Sequence, residues 1–148
     1  MPHFGHMDAS LMDPEDAELF RSRLHLRAAK RRFRQGRTTT GISVLYDSFL
    51  SALRYYAASP VRMATLDIRA GEDIKDERAI YLALVRSGIL SGTPDFDSFT
   101  SLVESSVDKE ICSYDYVKPL GEVEEALTRL GVMPFDLETL PPEKPDTP

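Results

Sequence analysis

The chain has a single cysteine, Cys112, which excludes an internal disulfide and any cysteine-based zinc cluster. Histidine is scarce as well. His3 and His6 stand near the N-terminus without a carboxylate cluster beside them, and His25 lies between Leu24 and Leu26 as an ordinary boundary residue. No apolar run approaches the roughly 20 residues that span a bilayer. No basic-then-apolar leader opens the sequence, so a cytoplasmic location is the default expectation. The glycines form neither GxxxxGK[S/T] nor GxGxxG, and HExxH and GxSxG are missing too. Phosphate-loop nucleotide binding, zinc peptidase chemistry and nucleophile-elbow hydrolysis therefore have no motif to rest on. No cofactor and no metal is expected.

What is present is the composition of one ordinary globular domain: 148 residues, 42% hydrophobic and 28% charged. The net charge of −6 is unevenly spread. Residues 1–75 carry 12 basic against 9 acidic side chains, whereas residues 76–148 carry 6 against 15. An acidic total argues against general nucleic-acid affinity, but a local basic face can still bind phosphate.

The stretch from Ile42 to Ala58, ISVLYDSFLSALRYYAA, organises the rest. On a helical wheel its apolar residues cover more than the stripe of about 100° that a surface helix shows. A wider stripe needs neighbours on two sides, so this is read as the central helix of a bundle. Thr38, Thr39 and Thr40 are expected to cap it, and Ser59-Pro60 to end it.

A first helix is expected from Pro14 to Gln35, with Asp13 as N-cap and Gly36 as a left-handed stop. It carries two apolar stripes. One is Leu19, Leu26, Ala29 and Phe33; the other, on nearly the opposite side, is Ala17, Phe20, Leu24 and Ala28. The second stripe needs cover from the chain's own C-terminal part or from a second subunit, which motivates a homodimer. Between the stripes runs a basic row, Arg23, Arg27, Lys30, Arg34 and Arg37, spaced to share one face. Its simplest reading is a solvated face whose stems cover the core edge. The sharper reading is a surface for phosphate, RNA or an acidic partner, which the acidic C-terminal half of the chain can itself supply.

Residues 61–74 have no clean period and read as a long connection, with room for one extended piece. Further helices are expected from Lys75 to Ser87, from Pro94 or Asp95 through Phe96, Phe99, Leu102, Val103, Val107 and Ile111, and over residues 121–130 with Gly131 as the stop. Residues 1–12 are taken as a flexible N-terminus. Gly5-His6-Met7 is a run that a cloning site leaves behind, so no function is assigned to residues 1–6. Residues 13–131 form the helical domain, and 132–148 a proline-rich tail in which Phe135 and Leu137 are placed to pack back. The fold class is all-α, a four- to five-helix up-and-down bundle.

Three stretches, AAKRRFRQGRTTTGISVLYDSFLSALRYYA (residues 28–57), AIYLALVRSGIL (residues 79–90) and SFTSLVESSVDKEICSYDYVKPLGEVEEALTRL (residues 98–130), resemble in order and spacing the HEPN domains, helical partners and relatives of small nucleotidyltransferases. The resemblance covers roughly residues 15 to 131. It implies a bundle of four or five helices, often a homodimer, with a nucleotidyltransferase-type protein as a possible partner. Many members are ribonucleases with an arginine followed four to six residues later by a histidine on the penultimate helix. Here DKEICSYDY offers Lys109 in the arginine's place and Ser113, Tyr114 or Asp115 in the histidine's. Acid–base work near neutral pH normally calls for a group that titrates there, so the resemblance points to the non-catalytic branch.

Among other residues, Tyr46 with Asp47 and Tyr55 with Tyr56 are placed to line a groove, although aromatics at helical spacing usually form core. Asp47, Ser51 and Arg54 are the better recognition candidates on that helix, and Tyr114 and Asp115, beside Tyr116, are loop candidates. Cys112 reads as a small buried hydrophobe. The expected function is a non-catalytic helical module that binds a partner protein, a nucleotide or nucleic acid. The alternative is a ribonuclease or nucleic-acid-binding protein using the basic face of helix one.

Overall fold

The computed structural model describes residues 12–106 and 115–143, and every regular element among them is helical. In chain order these are α1 (Pro14–Arg34), α2 (Thr38–Ala57), α3 (Pro60–Met63), α4 (Glu77–Arg86), α5 (Phe96–Ser106) and α6 (Val117–Leu130), with a 3-10 turn at Leu137–Thr139. The expected all-α class holds.

Each extensive helix–helix packing includes α2. Ile42, Leu45, Phe49, Ala52 and Leu53 are almost fully enclosed, as the wide stripe requires. Phe49 meets rings from two other helices, Tyr81 of α4 and Phe99 of α5. Leu26, Ala29 and Phe33 bring the first stripe of α1 into the same core, and Val123, Leu127 and Leu130 bring α6.

α1 and α2 form the largest interface, an antiparallel pair joined by a three-residue turn. Gly36 takes φ 76° there, and Arg37 N–H donates to Arg32 O while Gly36 N–H donates to Phe33 O. This is the Schellman pattern, which satisfies carbonyls that the helix end leaves open. Along the pair the two backbones come close at Ser22 and Ser48. Each hydroxyl donates to the other residue's carbonyl, at 2.8 and 2.7 Å, and both side chains are fully buried. Serine suits this place because it is small and carries its own donor into the apolar seam.

Several boundaries differ from the sequence reading. The threonines Thr38–Thr40 lie inside α2 rather than capping it; Arg37 holds the N-cap position without a side-chain bond. Asp13 is the N-cap residue of α1 but makes no side-chain capping bond either. Ser59-Pro60 ends α2 and also starts α3, with Ser59 Oγ accepting from Arg62 N–H. No strand occurs among residues 61–74; Arg86 ties that connection to α4 through Glu72 and the Asp67 carbonyl. α6 begins one turn earlier than expected, because Pro119 sits in its first turn, where a missing N–H costs nothing.

The stretch from residue 132 packs onto α1 at least as far as Glu143. Val132 joins the main core, and Leu140 pairs with Leu24 in a second, smaller cluster flanked by Phe20 and Phe135. Phe20 and Leu24 of the second stripe of α1 are thus covered by the same chain. His3, His6, Val107, Lys109, Ile111, Cys112 and Tyr114 lie outside the described residues, as does the side chain of Leu137.

Candidate functional site

Four members of the basic row, Arg23, Arg27, Lys30 and Arg34, lie on α1, whereas Arg37 falls in the turn as the N-cap residue of α2, and their surroundings differ. Arg23 Nε donates to Val132 O at 3.0 Å, and its guanidinium lies 5.0 Å from the centre of the Phe135 ring. Arg27 and Arg31 both face the Glu143 carboxylate, at 3.2 and 3.1 Å. Lys30 pairs with Glu124 of α6 at 2.8 Å. The C-terminal acidic residues therefore occupy much of this face from within the chain. Arg34 and Arg37, at its end, are exposed and have no ion-pair partner among the described residues.

Where the row runs out, a cleft opens between α1 and α6. Lys30, Phe33, Arg34, Tyr116 and Leu120 line it, around about 210 Å³. Phe33 and Tyr116 stack with ring centres 4.2 Å apart and planes 6° from parallel. Phe33 is buried and Tyr116 half-buried, so Tyr116 is the partner nearer solvent. Gly41 makes room for Phe33: a Cβ there would fall 2.5 Å from Phe33 Cε1. Asp115 sets the start of α6, its Oδ1 accepting from Val117 N–H at 3.0 Å. The structure thus joins the end of the basic row to the aromatic-acidic segment before α6.

The candidates on α2 are taken up differently. Arg54 reaches Glu18 of α1 and Glu77 of α4, each at 2.8 Å, and donates to Ser51 Oγ. It cross-links three helices, with Ser51 buried beneath it. Glu18 and Glu77 hold the Arg54 guanidinium above its ordinary pKa, against the opposing effect of burial. Asp47 is solvent-exposed, yet desolvation by its surroundings raises its carboxyl pKa, with Arg54 and Arg32 pulling the other way. The Arg62 guanidinium lies over the Tyr55 and Tyr56 rings, at 4.2 and 5.5 Å, and pairs with Glu15. Tyr46 packs against Phe99 and bonds Thr100 Oγ1, as core aromatics do.

Arg32 was not singled out by sequence. It is only 8% exposed, and its Nε is buried without a hydrogen-bond partner. Burial pushes its guanidinium below the ordinary value, and Arg31 and Arg37 add to that. Nothing in the periodicity of α1 separates it from its arginine neighbours.

A second cleft, about 180 Å³, lies between the starts of α5 and α6. Asp95, Lys118 and Glu122 on its wall give it no single charge preference. Among the described residues no three His, Cys, Asp or Glu side chains converge as metal ligands, and no helix is long and apolar enough to cross a membrane.

No protein-family model matches the chain, and neither a curated protein nor a solved structure matches it.

Proposed function

We propose that this chain is a HEPN-like helical binding module without nuclease chemistry, and that it takes a nucleotide unit in the cleft between α1 and α6. The observation that carries the reading is the stacked Phe33–Tyr116 pair, edged by Lys30 and by Arg34. A planar base fits beside an aromatic platform, and its phosphate fits a cation at the rim. The cleft's 210 Å³ falls below the roughly 300–1,000 Å³ of whole-cofactor sites, so it suits one ring with the phosphate outside. A homodimer is not required by this reading, since Phe20 and Leu24 are covered by Phe135 and Leu140 of the same chain.

Titration of the full chain with adenosine monophosphate, followed by NMR, tests it. Resonances of Arg34, Tyr116 and Leu120 should move first. Stacking on an aromatic side chain contributes about 1–3 kcal/mol per base, so Tyr116→Leu should weaken binding roughly 5- to 100-fold. Arg34→Ala should reduce the salt dependence of binding by about one phosphate contact. Equal affinity in Tyr116→Leu and wild type would overturn the proposal.

A further inference from the structure

The buried polar atoms along α1 do not balance. Arg27 Nε and Glu143 Oε1 approach to 3.2 Å, but the pair is misaligned, and neither atom is hydrogen-bonded although both are buried. Arg32 Nε is a second buried donor without an acceptor among the described residues. Among the described residues, Glu143 is in ion-pair contact with both Arg27 and Arg31. Asp47 and Glu143 are the acids that act on Arg32, while Arg31 and Arg37 repel it. Neither acid is within ion-pair distance of Arg32. Three guanidinium groups thus gather beside Glu143 and Asp47, and among the described residues Arg27 Nε and Arg32 Nε are buried without a hydrogen bond. Buried donors are nearly always satisfied in folded proteins, so orphans call for an explanation.

We propose that Arg27, Arg31 and Arg32 form an oxyanion site on α1, that a phosphate-type dianion is its ligand, and that Glu143 is a built-in occupant which the ligand displaces. A carboxylate presents two coplanar oxygens and one charge. A phosphate presents oxygens in a tetrahedron with up to twice the charge, so it can accept from guanidinium groups that approach from different directions. Displacement is local. Glu143 lies three residues beyond Leu140, whose contact with Leu24 stays in place. The ligand class is inorganic phosphate or the terminal group of a phosphomonoester. The site does not involve the Phe33–Tyr116 cleft, so failure of the nucleotide reading leaves this one standing, and the reverse.

The test is binding of sodium phosphate to the full chain by calorimetry, at constant ionic strength in chloride. Glu143→Gln should tighten binding about tenfold, because the competing charge is gone and the donors remain. Arg32→Met, which keeps the buried stem, should weaken it about tenfold. Glu124→Gln adds the same charge beside Lys30 and should change nothing. If Glu124→Gln tightens binding as much as Glu143→Gln, the effect is general charge and the proposal is wrong. Should Arg32→Met fail to fold, the wild-type arginine Nε–H resonances decide. Phosphate must move those of Arg27 and Arg32, and unmoved signals overturn the proposal. A parallel titration with glycerol phosphate separates the two sources: tighter binding than phosphate assigns a monoester, weaker binding the free ion.

Discussion

Replacing Gly41 by alanine would test how the cleft is supported. A Cβ at this position would meet Phe33 Cε1, Cδ1 and Cζ at 2.5, 2.6 and 3.2 Å. The first two are closer than carbon atoms tolerate, and Phe33 is also stacked on Tyr116. Its ring must rotate or slide, which disturbs the stack. Overfilling a packed core costs about 1–3 kcal/mol, and losing an aromatic pair roughly 0.5–1.5 kcal/mol. Alanine is the better helix former by about 1 kcal/mol, which offsets part of this. The expected net loss is about 1–3 kcal/mol, or roughly 2–10 °C in melting temperature for a chain of this size. Calorimetry of Gly41→Ala, Phe33→Leu and the double variant reads it. The double variant should be more stable than the two single effects added together, because leucine lacks the ring atoms that clash. A Gly41→Ala variant that melts at or above wild type would mean that Phe33 has room to spare and that glycine is not needed there.

Two further outcomes follow from the seam and from α2. Ser22→Ala and Ser48→Ala each remove one buried hydroxyl bond and should cost about 1 kcal/mol apiece; denaturant unfolding that finds the double variant as stable as wild type would deny the paired bonds any role. Asp47 has a raised folded pKa, so the folded state holds its proton more tightly than the unfolded state does. Ionisation of Asp47 therefore lowers stability as pH rises through the interval between the ordinary aspartate value and the raised one. Asp47→Asn should shift the urea midpoint upward at pH 7 and lose that advantage below the ordinary aspartate range; a downward shift at pH 7 would show that attraction to Arg32 and Arg54 outweighs desolvation.

The parts legible in sequence are those set by neighbours in the chain. The wide stripe of α2 foretold its enclosure, and Gly36 marked the end of α1, because both signals repeat or stop within a few residues. Ser59-Pro60 was read as a stop alone, although serine followed by proline equally starts a helix, as α3 shows. The early start of α6 is hidden in sequence because Pro119 reads as an interruption, although proline fits the first turn of a helix. The cleft was half legible: Lys30 and Arg34 were on the basic row, and Asp115 adjoined Tyr116, but no local pattern pairs Tyr116 with Phe33. Arg32 was illegible for a related reason. In a run of four cations over residues 30–34, only tertiary contact decides which one is enclosed.

α1 is fastened on two flanks by segments at very different distances along the chain. Toward α2 the connecting loop is three residues; toward Val132 the partners stand 109 residues apart. Loop entropy grows with the logarithm of length, about 0.6 kcal/mol per doubling. Some five doublings therefore make the distant closure about 3 kcal/mol harder than the near one if nothing between them is ordered. The near flank closes without help from the rest of the chain. The far flank closes cheaply only after α4 to α6 have shortened the effective loop, so the last segment to settle on α1 is also the first that can leave without undoing the others.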